Sequence, residues 1–470
     1  MNLAQHIDDP IFRIIGQEAK KLNIEVYIIG GFVRDILLSR PNTDVDFVAS
    51  SRGIELAKAC AKSLGMHKID IFKTYGTAHF KYHLLDLEFV GARKESYRQE
   101  SRKPDVEQGT LSDDQNRRDF TINTLAISLQ EGNYGEVIDP FGGFADLERK
   151  TLKTPMEPDI TYSDDPLRMM RAIRFANQLG FEIEPVSLEA IRKNAERLKI
   201  VSMERITTEL NKIMMCEKPS VGFKLMFDTG LLQQFFPEVV KLQGIEKRNG
   251  IAHKDNFYHT LQVLDNICQT TDKLWLRWAA LMHDIAKPPT KRFEEGAGWT
   301  FHGHEDLGAR MIPKIFARLK LPLDHQMKYV QKLVLLHLRP IALTKEEISD
   351  SAVRRLLFEA GDDIDDLMLL CRADITSKNE HKVKKYLTNY EIVKEKLVEL
   401  EEKDRIRNFQ PPITGEMIMS AFAIAPGREV GIIKNAIKDA ILDGVIHNNY
   451  EEAFALMLKE GKKLGLTEAK

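Results

Sequence analysis

The chain reads as a small mixed α/β domain followed by a longer, all-helical remainder. Three observations support this. Strand-like runs, apolar or alternating, fall within about the first 150 residues; helical spacing dominates after that; and 470 residues allow three or four domains, each with its own core. Lys+Arg 68 against Asp+Glu 70 gives a net charge of -2, so any nucleic-acid contact must come from local patches rather than a global basic field. The 4 cysteines (Cys60, Cys216, Cys268, Cys371) lack paired spacing, which argues against a disulfide framework or thiolate zinc site and suits a reducing compartment. No apolar run approaches a membrane span, and the opening MNLAQHIDDP lacks a signal pattern. The expectation is a cytoplasmic chain with no membrane association.

In chain order, a helix over about Pro10 to Leu22 leads into Ile24 to Ile29, a β-branched run with the character of a buried strand. The strand stops at Gly30-Gly31, where two glycines allow close backbone approach to a ligand, and FVRDILL continues with helical spacing. An anion fits that corner, with Arg34 as a fixed cation beside it. Asp44-Val45-Asp46 opens a second strand whose two carboxylates share a face, the arrangement of a Mg²⁺ site. Gly53 to Leu64 follows as a helix, then Thr77 to Tyr82 and Leu84 to Val90 as a strand pair, with Glu88 a candidate third acid.

Ala92 to Leu111 is polar and charged, and is expected to be a solvated loop whose Arg93, Lys94, Arg98, Arg102 and Lys103 move a primer end or nucleotide. In RRDFTINTLAI, Arg118 and Asp119 precede an apolar helical pattern, placing the arginine near a helix start where a triphosphate is held. Asp139-Pro140-Phe141-Gly142-Gly143 is expected to form a tight turn. Ser163-Asp164-Asp165-Pro166 has the composition of a helix start, and Arg168, Arg171 and Arg174 follow at three-residue spacing on one flank.

GGFVRD with DVD, RRDFTIN, DPFGG and DDPLRMMRAIRFA, in this order, resemble the motifs of the class II tRNA nucleotidyltransferase/poly(A) polymerase family, above all bacterial CCA-adding enzymes. The resemblance implies a nucleotidyltransferase head over 1-150 and a helical neck over 151-240, completed by a helix over Ser202 to Met215. It makes Asp44 and Asp46 the catalytic Mg²⁺ ligands and Gly31, Arg34 and Arg118 nucleotide contacts. Asp165 and Arg168 would present the edge that accepts CTP or ATP, and Arg171 and Arg174 would add contacts. The family usually carries Glu where this chain has Asp164.

A second set begins downstream: His259, His283-Asp284, His302 or His304 (the latter taken as the ligand), His337 and Asp374. The order resembles an HD-type metal phosphohydrolase domain, here over 241-380, and implies a further divalent ion, Mn²⁺, Ni²⁺ or Mg²⁺, with Lys287 meeting a phosphate. A helical tail over 381-470 would contact tRNA through lysines such as Lys434, Lys438, Lys459, Lys462 and Lys463. The resulting expectation is an enzyme that adds CCA to tRNA 3′ ends from CTP and ATP, with no protein partner implied. An A-adding enzyme, a poly(A) polymerase, or an HD hydrolase or RNA-binding module with an inactive head are the alternatives.

Overall fold

The computed structural model describes residues 1–470 except 74–75, 99–100, 344–348, 377–379, 405–408 and 470, and omits the side chains of 95–106, 380, 382 and 403–404. The chain forms two compact units, Met1–Pro237 and Glu238–Lys470.

In the first unit, helix α1 (Pro10–Lys21) starts with Pro10 in its first turn and the Asp9 carboxylate accepting from Ile11 N. Strand β1 (Val26–Ile29) is buried along its length. Helix α2 (Gly31–Leu37), strand β2 (Asp44–Ala49), helix α3 (Gly53–Ser63) and strands β3 (Asp70–Phe72), β4 (Thr77–Tyr82) and β5 (Leu85–Gly91) follow. With β8 (Ala126–Ser128) and β9 (Val137–Ile138) they make a seven-stranded sheet of order β3-β4-β5-β2-β1-β8-β9. Within this sheet β2 and β5 pair in parallel, and the other described pairs are antiparallel. Val45, Phe47, Leu87 and Phe89 face the buried side, where Phe89 stacks on Phe47 at 4.8 Å and on Phe80 at 5.4 Å.

Two expectations in the head are corrected. Residues 92–111 are not simply a loop: β6 (Arg93–Arg98) and β7 (Ser101–Gln108) pair as an antiparallel hairpin, with a register shift between Ser96 and Arg98. Backbone pairing sustains it without an apolar period, so hydropathy gave no signal. The stretch after Arg118 is not a helix either. Helix α4 (Leu111–Asn116) ends before the arginine pair, Thr121–Asn123 is a single 3-10 turn, and Ala126–Ile127–Ser128 is strand β8, buried against β1. The run of apolar residues with Thr and Asn suits a buried strand as well as a helix, and burial decides.

The turn at Asp139 is as expected, with Gly142 at φ 71 and the Asp139 carboxylate accepting from Gly143 N (2.7 Å) and Phe144 N (3.0 Å). A helical stretch follows. Helix α5 (Gly143–Glu148) leads to α6 (Pro158–Asp164) and α7 (Leu167–Leu179), so Ser163-Asp164-Asp165-Pro166 is the start of α7, as expected, and also closes a preceding helix that was not expected. Helices α8 (Pro185–Asn194) and α9 (Met203–Met214) complete the packing around α7 and α6.

The second unit is helical apart from two short hairpins, Lys247–Arg248 with Ile251–Ala252 and Arg292–Glu294 with Gly298–Thr300. Its principal helices are Asn256–Cys268, Leu274–Met282, His304–Arg318, His325–Leu336 and Ile364–Asp374. Glu380–Asp404 leads to the tail helices Gly415–Phe422, Arg428–Leu442 and Tyr450–Lys463, which bury Ile418, Phe422, Ile433, Ile437 and Met457. Among the described residues, no helix is long and apolar enough to cross a membrane.

Candidate active site and metal centre

The parallel register of β2 and β5 sets Asp44 beside Asp86 and Asp46 beside Glu88. Alternate residues share a face, so four carboxylates lie together on the side of the sheet opposite Phe47 and Phe89. They line a cavity of about 650 Å³ with Gly31, Arg34, Asn42, Arg118, Arg171 and Lys212 among its walls. Burial raises the pKa of Asp46, the neighbouring Asp44 charge adds to the rise, and Arg118 opposes it. Burial and then Asp46 do the same to Glu88. Oxygen donors drawn together on one face, two of them with their charged form disfavoured by burial, are a set that a divalent cation would relieve, so they fit Mg²⁺.

Gly30 has φ 85, and a Cβ there would lie 2.8 Å from Arg118 Nη1 and 3.5 Å from Asp46 Oδ2. Its bareness lets the guanidinium cross the end of β1 next to the acids. Arg118 is no helix-start residue: it follows α4, and its Nε donates to the buried Asp114 carboxylate at 3.1 Å. Arg34 is fully engaged within the fold, donating in a fork to Asp35 at 2.9 and 2.8 Å and to Asn123 Oδ1 at 2.9 Å.

The three arginines of α7 fan over about a third of the helix circumference. Three-residue steps turn a helix back by about 60° each, so Arg168 and Arg174 point about 120° apart. Arg168 donates to the carbonyls of Arg117 (2.5 Å) and Thr161 (3.4 Å). Arg171 Nε donates to Asp119 Oδ2 at 2.7 Å. Arg174 donates to Glu209 on α9 at 2.6 Å and lies 3.9 Å from the Phe175 ring centroid. Asp165, which accepts from Leu167 N at 3.3 Å, and Arg168 sit at the α6–α7 junction, outside the residues lining the cavity. Arg171 and Arg174 do line it.

In the second unit the six expected metal ligands converge. His259 lies in the helix that Asp255 caps; His283 and Asp284 follow Leu274–Met282; His304 opens its helix; His337 and Asp374 stand at helix ends. His259, His283 and Asp284 bring ligand atoms within 4.8 Å of one another, as do Asp284, His304 and His337. His302 is exposed, whereas His304 is buried and is the one of the two that joins the cluster. Asp374 Oδ1 lies 2.8 Å from His259 Nε2 and 3.6 Å from His283 Nε2.

The Nδ1 atoms of His283, His304 and His337 each sit 2.7 Å from a carbonyl three residues earlier, on Ala280, Phe301 and Val334. That partner assigns the proton to Nδ1 and leaves the Nε2 lone pair facing the centre. The Nε2 atoms of His283 and His304 are buried with no hydrogen-bond partner, although Asp284 oxygens lie 3.2 and 3.3 Å away. Burial works against a charge on His283, yet Asp284 and Asp374 carry its pKa up to about 10, while burial takes His337 down to about 4. Orphaned imidazole nitrogens around the buried Asp284 and the partly buried Asp374 fit a divalent ion, which would replace that proton.

Three family models match this chain: the poly A polymerase head domain over 26–153, the probable RNA and SrmB-binding site of polymerase A over 180–242, and the HD domain over 256–379. An A-adding tRNA nucleotidyltransferase of Deinococcus radiodurans is 33% identical over 343 residues, covering 70% of this chain and 75% of that one. The chain belongs to the tRNA nucleotidyltransferase/poly(A) polymerase family. Within that family, a CCA-adding enzyme of Limosilactobacillus reuteri is 38% identical over 223 residues, 47% of this chain and 53% of its own length. A solved tRNA nucleotidyltransferase complexed with a primer tRNA and an incoming ATP analog superposes with TM-score 0.57 at 26% identity, covering 81% of this chain and 99% of the other.

Asp86, Asp119 and Lys212 were not singled out from sequence as site residues, yet all three line the cavity. A signal existed for Asp86, since LDLEFV repeats the acid-apolar-acid alternation of DVDFV. None existed for Lys212, which reaches the site only through the packing of α9 against α7.

Proposed function

We propose that this protein adds CCA to the 3′ end of tRNA from CTP and ATP without a nucleic-acid template. The observation that carries the reading is the β2–β5 register, which gathers Asp44, Asp46, Asp86 and Glu88 at a cavity rimmed with Arg118, Arg171 and Lys212. Asp44 and Asp46 would hold Mg²⁺, two ions in the full reading, whose chemistry is Lewis-acid activation of the attacking 3′-hydroxyl and neutralisation of the departing pyrophosphate. Glu88, paired with Asp46 in the register, would add a further acid beside the ion. Arg118, braced by Asp114, and Lys212 place positive charge where a triphosphate would lie, and Gly31 leaves room for it. Asp119 orients Arg171, and Asp165 with Arg168 would present the edge that pairs with CTP or ATP while leaving UTP and GTP mispaired. Similarity to both a CCA-adding and an A-adding enzyme supports the class.

The test is gel-resolved extension of tRNAs ending before CCA, after C and after CC, with CTP and ATP separately and together. Completion to CCA on all three is expected. Addition of A alone to the CC end would make this an A-adding enzyme, and long A tails on unrelated RNA a poly(A) polymerase. Asp44→Ala/Asp46→Ala is expected to abolish extension.

The buried His/Asp cluster supports a second activity, a metal-dependent phosphohydrolase holding Mg²⁺, Mn²⁺ or Ni²⁺ on His259, His283, Asp284, His304, His337 and Asp374. Lys287, 2.6 Å from Asp284, stands where a phosphate would need a cation. Calorimetric titration of the full chain with Mn²⁺ or Ni²⁺ tests the site, and absence of binding together with absence of phosphodiester hydrolysis would remove this activity. We read 1-150 as head, 151-240 as neck, 241-380 as HD body and 381-470 as a tRNA-contacting tail.

A further inference from the structure

The two short hairpins of the second unit lean together beside the His/Asp cluster. Trp299 Nε1 donates to the Ile251 carbonyl at 3.1 Å, joining them. Trp299 meets Phe293 and His253 edge to face, each at 5.3 Å between ring centroids, and His253 meets Phe301 at 6.0 Å. All four rings keep partial exposure, whereas the rings that build the cores, such as Phe47, Phe89 and Trp278, are fully buried.

Cations are set on this aromatic wall. The Arg248 guanidinium lies 4.9 Å from the Phe293 centroid, Lys291 Nζ 5.5 Å from that of Trp299, and Lys287 Nζ 5.7 Å from that of Phe301. The wall is also tied to the cluster at three points. The Phe301 carbonyl holds His304 Nδ1, Lys287 reaches Asp284, and Lys254, whose carbonyl contacts His253 Nδ1, reaches His259 Nδ1 at 2.8 Å.

Half-exposed rings and cations next to a cluster suited to phosphate chemistry match one kind of ligand, a flat π-system carrying an anionic phosphate. We propose that this wall is a base-stacking site, which holds the nucleoside of a nucleoside phosphate, free or at an RNA 3′ end, while its phosphate meets Lys287 and the cluster. The position of the phosphate rests on the phosphohydrolase reading above. Stacking does not require hydrolysis.

The chain's 3 tryptophans, Trp275, Trp278 and Trp299, all lie in the second unit, so tryptophan fluorescence of the full chain reports on that unit alone. Titration in Mg²⁺ would use adenosine 3′-phosphate, a short RNA ending in a 3′-phosphate, inorganic phosphate and ribose 5-phosphate. A saturable change with the two nucleoside phosphates, and none with the baseless probes, is expected. Trp299→Phe should remove most of the change. Phe301→Leu keeps the backbone carbonyl that anchors His304 and should weaken binding about tenfold. Tighter binding of the RNA than of adenosine 3′-phosphate would name an RNA end as the ligand, and equal affinities a free nucleotide. A signal unchanged in Trp299→Phe, an affinity unchanged in Phe301→Leu, or an equal response to inorganic phosphate would overturn the proposal. Binding without hydrolysis would remove the phosphohydrolase reading and leave the stacking site standing.

Discussion

Asp119 shows how much one buried side chain organises. Its carboxylate accepts from Arg171 at 2.7 Å, from Asn123 Nδ2 at 2.9 Å and from Phe120 N at 2.9 Å. Burial works to raise its pKa, but Arg171 and the Asn123 amide outweigh that and hold it well below the ordinary 3.8. A carboxylate depressed on folding stabilises the fold above its unfolded pKa, and that stability is lost as pH falls through the folded value. Asp119→Asn should therefore cost about 2 kcal/mol at pH 7 in urea denaturation, since Arg171 loses its partner yet stays partly exposed, and the gap from wild type should narrow below about pH 4. Glu88→Gln should lower the extension rate about tenfold and raise the Mg²⁺ concentration for half activity, measured by single-turnover extension. That Asp44 and Asp46 share a face, and that the six histidine and aspartate positions of the second unit come together, was legible because their spacing is local or their order distinctive. Asp119 was not, because its partners come from a turn and from a helix 52 residues away.

At the scale of elements, strong local punctuation was legible and long-range pairing was not. Gly30-Gly31, the Asp139 turn and α7 each follow from residues within one turn of themselves. Strand β8 depends on pairing with β1 across the chain, and the β6–β7 hairpin, although its pairing is local, has a composition with neither a strict alternation nor a helical stripe. The three-residue spacing of the α7 arginines fans them over about 120°, which leaves Arg171 and Arg174 lining the cavity and Arg168 outside its lining. Packing at the tail gives a test of a different kind. A Cβ on Gly461 would come within 2.1 Å of Phe422, so Gly461→Ala should destabilise the chain by about 1–2 kcal/mol despite alanine's better helix propensity, read from the denaturation midpoint.

Across the whole molecule, the division into Met1–Pro237 and Glu238–Lys470 separates the carboxylate cavity from the His/Asp cluster. Scanning calorimetry should show two transitions. Mn²⁺ at about 100 times its dissociation constant should stabilise the second unit by about 2.7 kcal/mol, and His283→Ala should abolish that shift without moving the other transition. The order of parts was readable from motif order, whereas the two hairpins of the second unit were not foreseen. The strand register has a consequence for how this gene can change over generations. Side chains along β2 and β5 can be exchanged one at a time, but losing a single codon inside either strand would move every residue on one side of the gap to the opposite face in one step, breaking the alternation of acids and phenylalanine. Substitution is open to drift there, and length is not.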